Sequence, residues 1–188
     1  MANTYLTRTQ VAGNRQIFTQ SIWFKLTNTA DQVFISSYND ANNYNCFFLE
    51  SGNQVLQVLW KKSGSTAALL NTTRKFRDTS AWYHVVLAVD TTQGTANRIK
   101  LYVNGVQETS FSTATYPNQN ESIEVNDNNT NQRIGALNTD TFFQGVASYV
   151  AQIDGTQELP TVFGETDATT GEWKIKTSIT PSVAWGNN

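Results

Sequence analysis

Two pairs of carboxylates, one histidine, one cysteine and one tyrosine-rich loop are the places in this chain from which chemistry could be built. Glycoside hydrolysis needs two carboxyl groups a few ångströms apart on a rigid frame. The nearest pairs are Glu121 with Glu124 and Glu165 with Asp167, and both fall in segments that read as loop or turn, which seldom hold a pair rigidly. His84 is the only histidine, so any Ser-His-Asp triad would have to use it. It stands beside Trp82 and Tyr83 in a strand-like run with no nucleophile signature, and reads as a packed or hydrogen-bonding residue. Cys46 has no partner for an internal disulfide and reads as a small apolar residue buried beside Phe47. Asp127-Asn128-Asn129-Thr130-Asn131 begins like a calcium loop, but Gln132 replaces the required glycine and Asn138 stands where the bidentate glutamate belongs. That loop therefore reads as solvated, with no metal site.

Glycan binding asks for a stacking aromatic flanked by amides and carboxylates that can bond sugar hydroxyls. Tyr38, Asn39, Asp40, Asn42, Asn43 and Tyr44 supply both kinds of group within one polar loop, and Trp60 near a strand end adds an aromatic. The plainer alternative is a polar turn with edge tyrosines, since Asn and Asp favour turns in any case. Trp23, Trp82 and Trp173 are assigned to the core, where large aromatics dominate burial.

The formal net charge is −2 and charged residues make up only 15% of the chain. A basic surface that grips phosphates is thereby excluded, and nucleic acid is not an expected partner. The first residues lack the basic and apolar regions of a secretory signal, and no stretch approaches the length of a membrane span. Synthesis in a cytoplasm without membrane insertion is expected.

The elements that must position these residues are strands. Residues 81–90 and 98–106 form the strongest signal, a hairpin in which Val85, Leu87 and Val89 share one face and Ile99, Leu101 and Val103 another. Asn104-Gly105 turns the chain into a next strand over 106–111. Upstream, residues 6–14 read as polar and irregular, and strands are expected over 16–26, 32–37, 46–50, 54–61 and 67–72, a meander with turn chemistry between its members. Residues 116–131 read as a long loop, 132–137 and 143–154 as strands, 158–164 as one helical turn opened by Pro160 and closed by Gly164, 173–179 as a last strand, and 181–188 as an unstructured end. Short strands at this spacing, with no long 3.6 period, predict an all-β antiparallel sandwich, most economically one domain over residues 1–188.

Several motifs share an order and spacing with a known family. They are Tyr5-Leu6-Thr7-Arg8-Thr9, Gly13-Asn14-Arg15, residues 76–84 (Phe-Arg-Asp-Thr-Ser-Ala-Trp-Tyr-His), Val89-Asp90-Thr91-Thr92-Gln93, residues 102–106, Ile153-Asp154-Gly155, and residues 163–171. With these the chain resembles the concanavalin A-like, laminin G-like jelly-roll domains found in structural proteins of tailed bacteriophages and other aquatic viruses. The resemblance implies two antiparallel sheets packed face to face, a scaffold shared by lectins, glucanases and structural modules. Calcium held by scattered loop carboxylates occurs in such domains, although no cofactor is expected from the residues here. The Glu-x-Asp-x-x-Glu strand motif of the glucanases is absent. The expectation is therefore a non-enzymatic virion protein, with a glycan hydrolase or depolymerase as the alternative and a free-standing lectin as a second. No heptad, collagen-like or β-repeat shaft is present, so a surface, decoration or fibre-tip module is expected in preference to a whole fibre. Its expected partners are other virion proteins, further copies of itself, and a host-surface glycan. Similar proteins run on into another apolar strand, so an unpaired strand edge is expected near Trp185, which would then be covered at a subunit boundary.

Overall fold

A computed structural model describes residues 4–179, and within them every extended element is a strand. The apolar alternation read from the sequence places the central hairpin first. Strand β7 (Trp82–Asp90) pairs with β8 (Ile99–Val103) in the register Val85↔Val103, Leu87↔Leu101 and Val89↔Ile99, so all six apolar side chains point the same way. The Asn104-Gly105 turn has positive φ at both residues, 48° and 82°, as a tight hairpin of matching twist requires. The expected next strand is divided: β9 (Val106–Glu108) continues this sheet, whereas β10 (Phe111–Thr115) crosses to the other.

With β2 (Ile17–Leu26) and β12 (Gly145–Asp154), the hairpin builds a five-stranded sheet in the order β12-β2-β7-β8-β9. The meander forms as expected from β3 (Gln32–Asp40), β4 (Asn43–Glu50), β5 (Val55–Lys62) and β6 (Ser65–Thr72). It is flanked by β10 on one side and by β11 (Asn131–Ile134) and β1 (Leu6–Thr9) on the other, giving a seven-stranded sheet in the order β1-β11-β3-β4-β5-β6-β10. Strand β1 lies in a stretch that reads as irregular; its backbone pairs with β11 although most of its side chains stay exposed, and no apolar alternation announces such a strand.

The sheets enclose one core. Phe18, Ile22, Phe24 and Leu26 of β2 meet Phe34, Phe47, Leu49 and Trp60 of the facing sheet, with Phe24 and Phe34 stacked at 4.2 Å between ring centroids. Ile123 and Val125, the apolar members of the long 116–130 connection, are buried in the same core. A second, smaller core lies on the outer face of the five-stranded sheet, where Val86, Ala88, Tyr102 and Ile153 are covered by Phe163. Its cover is the segment after β12: the expected helical turn, here a 3-10 turn at Pro160–Val162, then β13 (Gly164–Thr166) paired with β14 (Trp173–Ile175). The all-β two-sheet expectation holds, and the last strand is shorter than expected. Trp185 and the rest of the expected unstructured end lie outside the described residues.

Candidate functional site

The residues 38–44 do not form a loop. Strand β3 runs on to Asp40 and β4 starts at Asn43, so Tyr38 and Tyr44 face each other across a tight hairpin, with ring centroids 5.9 Å apart and planes within 27°. Asp40 closes the turn by accepting from the Asn42 backbone N–H at 2.7 Å and from the Asn43 amide at 3.0 Å. Asn43 Oδ1 in turn accepts from the Ser63 N–H at 3.0 Å, tying the hairpin to the β5–β6 turn. The polar groups that suggested a binding loop thus serve largely to build the hairpin that presents the two rings.

Register then adds neighbours that are remote in sequence. Opposed residues of antiparallel strands share a face, and the pairs Thr9↔Asn131, Asn131↔Tyr38, Tyr38↔Tyr44, Tyr44↔Lys61 and Lys61↔Thr66 place six residues in one row across the outer face of the seven-stranded sheet. At ~4.8 Å between strands the row spans about 24 Å. It offers hydroxyls, an amide, two half-buried tyrosines and an ammonium, with Lys61 Nζ donating to Thr66 Oγ1 at 2.8 Å and Thr9 Oγ1 to Asn131 Oδ1 at 3.3 Å. Burial, with the Cys46 and Tyr38 groups as lesser causes, raises the Tyr44 phenol above its ordinary pKa, so it stays a neutral donor.

In the next row Arg133 sits opposite Ser36, and its guanidinium carbon lies 5.8 Å from the Tyr38 ring centre. Its Nε and Nη1 are buried and find no hydrogen-bond partner among the described residues. Ser36 beneath is fully buried and donates to the Ala136 carbonyl at 2.7 Å, which pins the loop after β11 over this part of the sheet. Cys46 is buried as expected, and burial pushes its thiol well above the ordinary range, away from the reactive thiolate.

Two tryptophan assignments are corrected. Trp60 is 1% exposed and belongs to the core, because it shares parity with Leu56 and Val58; it takes no part in the outer row. Lys61, one residue on, must then point outward, and that parity could have identified it. Trp82, assigned to the core, is 43% exposed at the start of β7, on the opposite parity from Val85. Arg133, Asn131 and Thr9 had no local signal, since they arrive through pairing over more than 90 residues of chain.

The carboxylates are occupied elsewhere. Glu121 pairs with Lys62 and accepts from the Asn118 amide at 3.2 Å. Glu124 is buried, which raises its pKa, and lies 3.6 Å from Arg15, whose other nitrogen is 2.6 Å from Asp127. Glu165 and Asp167 share Lys174 at 3.7 and 2.8 Å, and Asp167 also accepts from the Thr169 and Thr170 N–H groups of its own turn. The Lys174 ammonium, and after it the Thr170 and Thr169 N–H groups, hold the Asp167 carboxyl below the usual range. Asp127 is likewise bound into its turn by the Asn129 N–H at 2.9 Å. Among the described residues no group of three or more His, Cys, Asp or Glu side chains is placed to hold a metal ion.

His84 is packed, on the second core. Its ring lies between Trp23, stacked at 4.5 Å, and Trp173 at 6.0 Å. The Trp173 indole N–H donates to Nδ1 at 2.9 Å, so Nε2 carries the proton and donates to Ser21 Oγ at 2.9 Å. A nitrogen that donates to the hydroxyl cannot accept its proton, and the place of an orienting acid at Nδ1 is taken by the Trp173 indole, so this Ser-His contact lacks the arrangement of a nucleophilic pair.

The family described as the concanavalin A-like lectin/glucanases superfamily matches residues 2–174. Solved structures of similar fold include domain 4 of AbnA, an extracellular arabinanase of Geobacillus stearothermophilus, in complex with arabinotriose, at 18% identity over 79% of this chain and 64% of that one, with a TM-score of 0.57. A heptameric SAP-like pentraxin from Limulus polyphemus matches at 14% identity over 82% of this chain and 71% of that one, TM-score 0.55. Tailspike protein 2 of the Escherichia coli O157:H7 bacteriophage CAB120 matches at 11% identity over 81% of this chain but 21% of that one, TM-score 0.54. At such identities the likeness is one of fold. No curated protein sequence matches the chain significantly.

Proposed function

We propose that this chain, which belongs to the concanavalin A-like lectin/glucanases superfamily, is a non-catalytic glycan-binding module that takes a saccharide across the outer face of its seven-stranded sheet. The observation that carries the reading is the transverse row with Tyr38 and Tyr44 at its centre and hydroxyl, amide and ammonium groups on either side. Apolar faces of sugar rings settle on aromatic planes, and the flanking donors and acceptors, held by strands, fix orientation. The non-catalytic part is supported by Glu121, Glu124, Glu165 and Asp167, each of which is bound into an ion pair. That the fold also occurs in a domain holding arabinotriose makes the scaffold suitable without naming the sugar.

A finer reading rests on the motif resemblance: the module belongs to a virion, as a surface, decoration or fibre-tip part that holds host glycan and touches its own copies or other virion proteins. A tailspike of similar fold is consistent with it. Locating the chain in purified particles by antibody labelling tests this part.

For the binding itself, a glycan array followed by titration calorimetry is decisive. Tyr38→Ala and Tyr44→Ala should each weaken the best ligand by about tenfold or more, about 1.4 kcal/mol. A silent array, or tyrosine variants that bind as the parent does, would overturn the reading. Product release from a polysaccharide, abolished in Glu124→Gln or Glu165→Gln, would replace it with a hydrolase.

A further inference from the structure

The seven-stranded sheet is wider than the five-stranded one, and at the β12 side it overhangs. Among the described residues strand β12 ends its sheet while β11 and β1 continue beyond, so no strand of the five-stranded sheet faces the inner side of β1, and Leu6 on that face is 68% exposed. Between the two edges lies a cleft of about 430 Å³, within the roughly 300–1,000 Å³ range of small-molecule sites. Ile35, Ile134, Val150, Ala151 and Ile179 give it apolar walls, and a smaller groove of about 200 Å³ continues it along Leu6, Arg8 and Ile134.

The polar side chains of the cleft are unequal. Gln132 Nε2 donates to Gln152 Oε1, which also accepts from Gln20 at 2.8 Å, and Gln152 Nε2 donates to Asn126 Oδ1 at 2.8 Å. These amides satisfy one another in a chain that runs into the sandwich. Arg8 spends its Nε on Gln132 Oε1 at 2.8 Å, and none of the ion pairs among the described residues reaches it. Among the described residues no hydrogen bond engages its terminal nitrogens, so the partly exposed Arg8 is the charged side chain lining an otherwise largely apolar hollow. The mouth shows a second oddity. Tyr149 has φ 47° inside β12, where the register with β2 shifts between Ser148 and Ala151, and its ring, half exposed, lines the cleft. A left-handed tyrosine is a true outlier, and bulges of this kind re-aim side chains next to binding sites.

We propose that this cleft is a second binding site, separate from the tyrosine row, for a small aliphatic monocarboxylate: the carboxylate on Arg8, the hydrocarbon body between Ile134 and Val150, and the Tyr149 ring over the entrance. Charge complementarity selects the head group, because a guanidinium pairs with a carboxylate through two parallel N–H donors. The apolar walls select the body, since amides already bonded to one another have little to offer a polyhydroxylated ligand.

Titration calorimetry with decanoate and decanol, both below the concentrations at which they aggregate, tests the proposal on the whole chain. Decanoate is expected to bind with unit stoichiometry and decanol about tenfold or more weakly, the scale of one charge-assisted hydrogen bond. Arg8→Met, which keeps an apolar stem, should bring decanoate down to the level of decanol, and Arg8→Lys, a point charge without the two parallel donors, should fall between parent and Arg8→Met; thermal melts show that each variant is folded. Failure of decanoate to bind, equal binding of the alcohol, or an Arg8→Met variant that binds as the parent does would overturn it. So would a dimer in sedimentation that leaves decanoate unbound and dissociates in Leu6→Glu, since the occupant would then be a second copy of the chain.

Discussion

The His84 imidazole is held neutral by its surroundings, and this has a measurable consequence. Among the described residues its ring meets Trp23, Trp173, Phe163 and Ser21, all uncharged, and burial lowers its pKa to about 3 from the ordinary 6.5. The unfolded chain takes up a proton near 6.5 and the folded chain does not, so the stabilisation is complete above that pH and is lost as pH falls toward 3. Each pH unit in that window should cost about 1.4 kcal/mol. Melting temperatures between pH 7 and 4.5 should fall in the parent and stay nearly level in His84→Gln, which can still accept from Trp173 and donate to Ser21; parallel curves would show that the imidazole is protonated in the fold. The tryptophans separate core from site in the same way. Trp60→Ala should cost about 3–5 kcal/mol by leaving a cavity, whereas Tyr44→Ala, half exposed, should change stability by about 1 kcal/mol or less while removing glycan binding. Chemical denaturation set against calorimetry distinguishes the two. Residue types were legible as chemistry from the sequence, but their faces were legible only within long alternating runs: Trp60 could be placed by parity with Leu56 and Val58, while Trp82, at the first position of its strand, had no run before it.

The cover of the second core is anchored by Phe163 and continues into the β13–β14 ribbon, whose main side-chain anchor on the sheet is Trp173. Trp173 packs closely against two glycines: a Cβ on Gly105 would come within 2.7 Å of its ring and one on Gly164 within 2.5 Å. The Asn104-Gly105 turn is therefore both a hairpin and half of a clamp on β14. Trp173→Ala should cost about 1–3 kcal/mol and speed amide exchange across residues 164–175, because the ribbon buries little else. Gly164→Ala should cost a similar amount alone and almost nothing in the Trp173→Ala background, a coupling of about 0.5–3 kcal/mol in a double-mutant cycle. Additive losses would mean that Gly164 matters for its backbone and not for the ring above it. Elements with side chains alternating over eight or more residues were readable in advance, as β2, β7 and the meander show. β1 and β13 were not, because Leu-Thr-Arg-Thr and Gly-Glu-Thr carry no apolar alternation, unlike the equally short β8 with Ile99, Leu101 and Val103, and the crossing at β9–β10 is set by the backbone partners those strands meet. The lack of an apolar pattern also concealed two of the six residues of the tyrosine row, Thr9 in β1 and Asn131 at the start of β11.

At the scale of the whole molecule, closure joins segments that lie far apart. Within the hairpin β7–β8, Val85 meets Val103, whereas β2 meets β12 through Phe18↔Asp154 and β1 meets β11 through Leu6↔Ile134. Loop-closure entropy must be met before those distant pairs return any burial, so all-β topologies of this kind fold in about milliseconds to seconds, far more slowly than helical bundles. The local hairpin, whose Leu87 and Leu101 lie opposite each other in the core, is the economical nucleus, and the N-terminal strands and β12 should join after the barrier. Stopped-flow refolding should then divide substitutions by position. Leu87→Ala should slow folding by most of its equilibrium cost, and Ile153→Ala in β12 should leave the folding rate nearly unchanged and appear as faster unfolding. If Ile153→Ala slowed folding as much as Leu87→Ala, the distant β2–β12 pairing would already be formed at the barrier. The nucleus would then span the whole chain, and the long connection over residues 116–130, which supplies Ile123 and Val125 to the core, would have to be ordered before the meander closes.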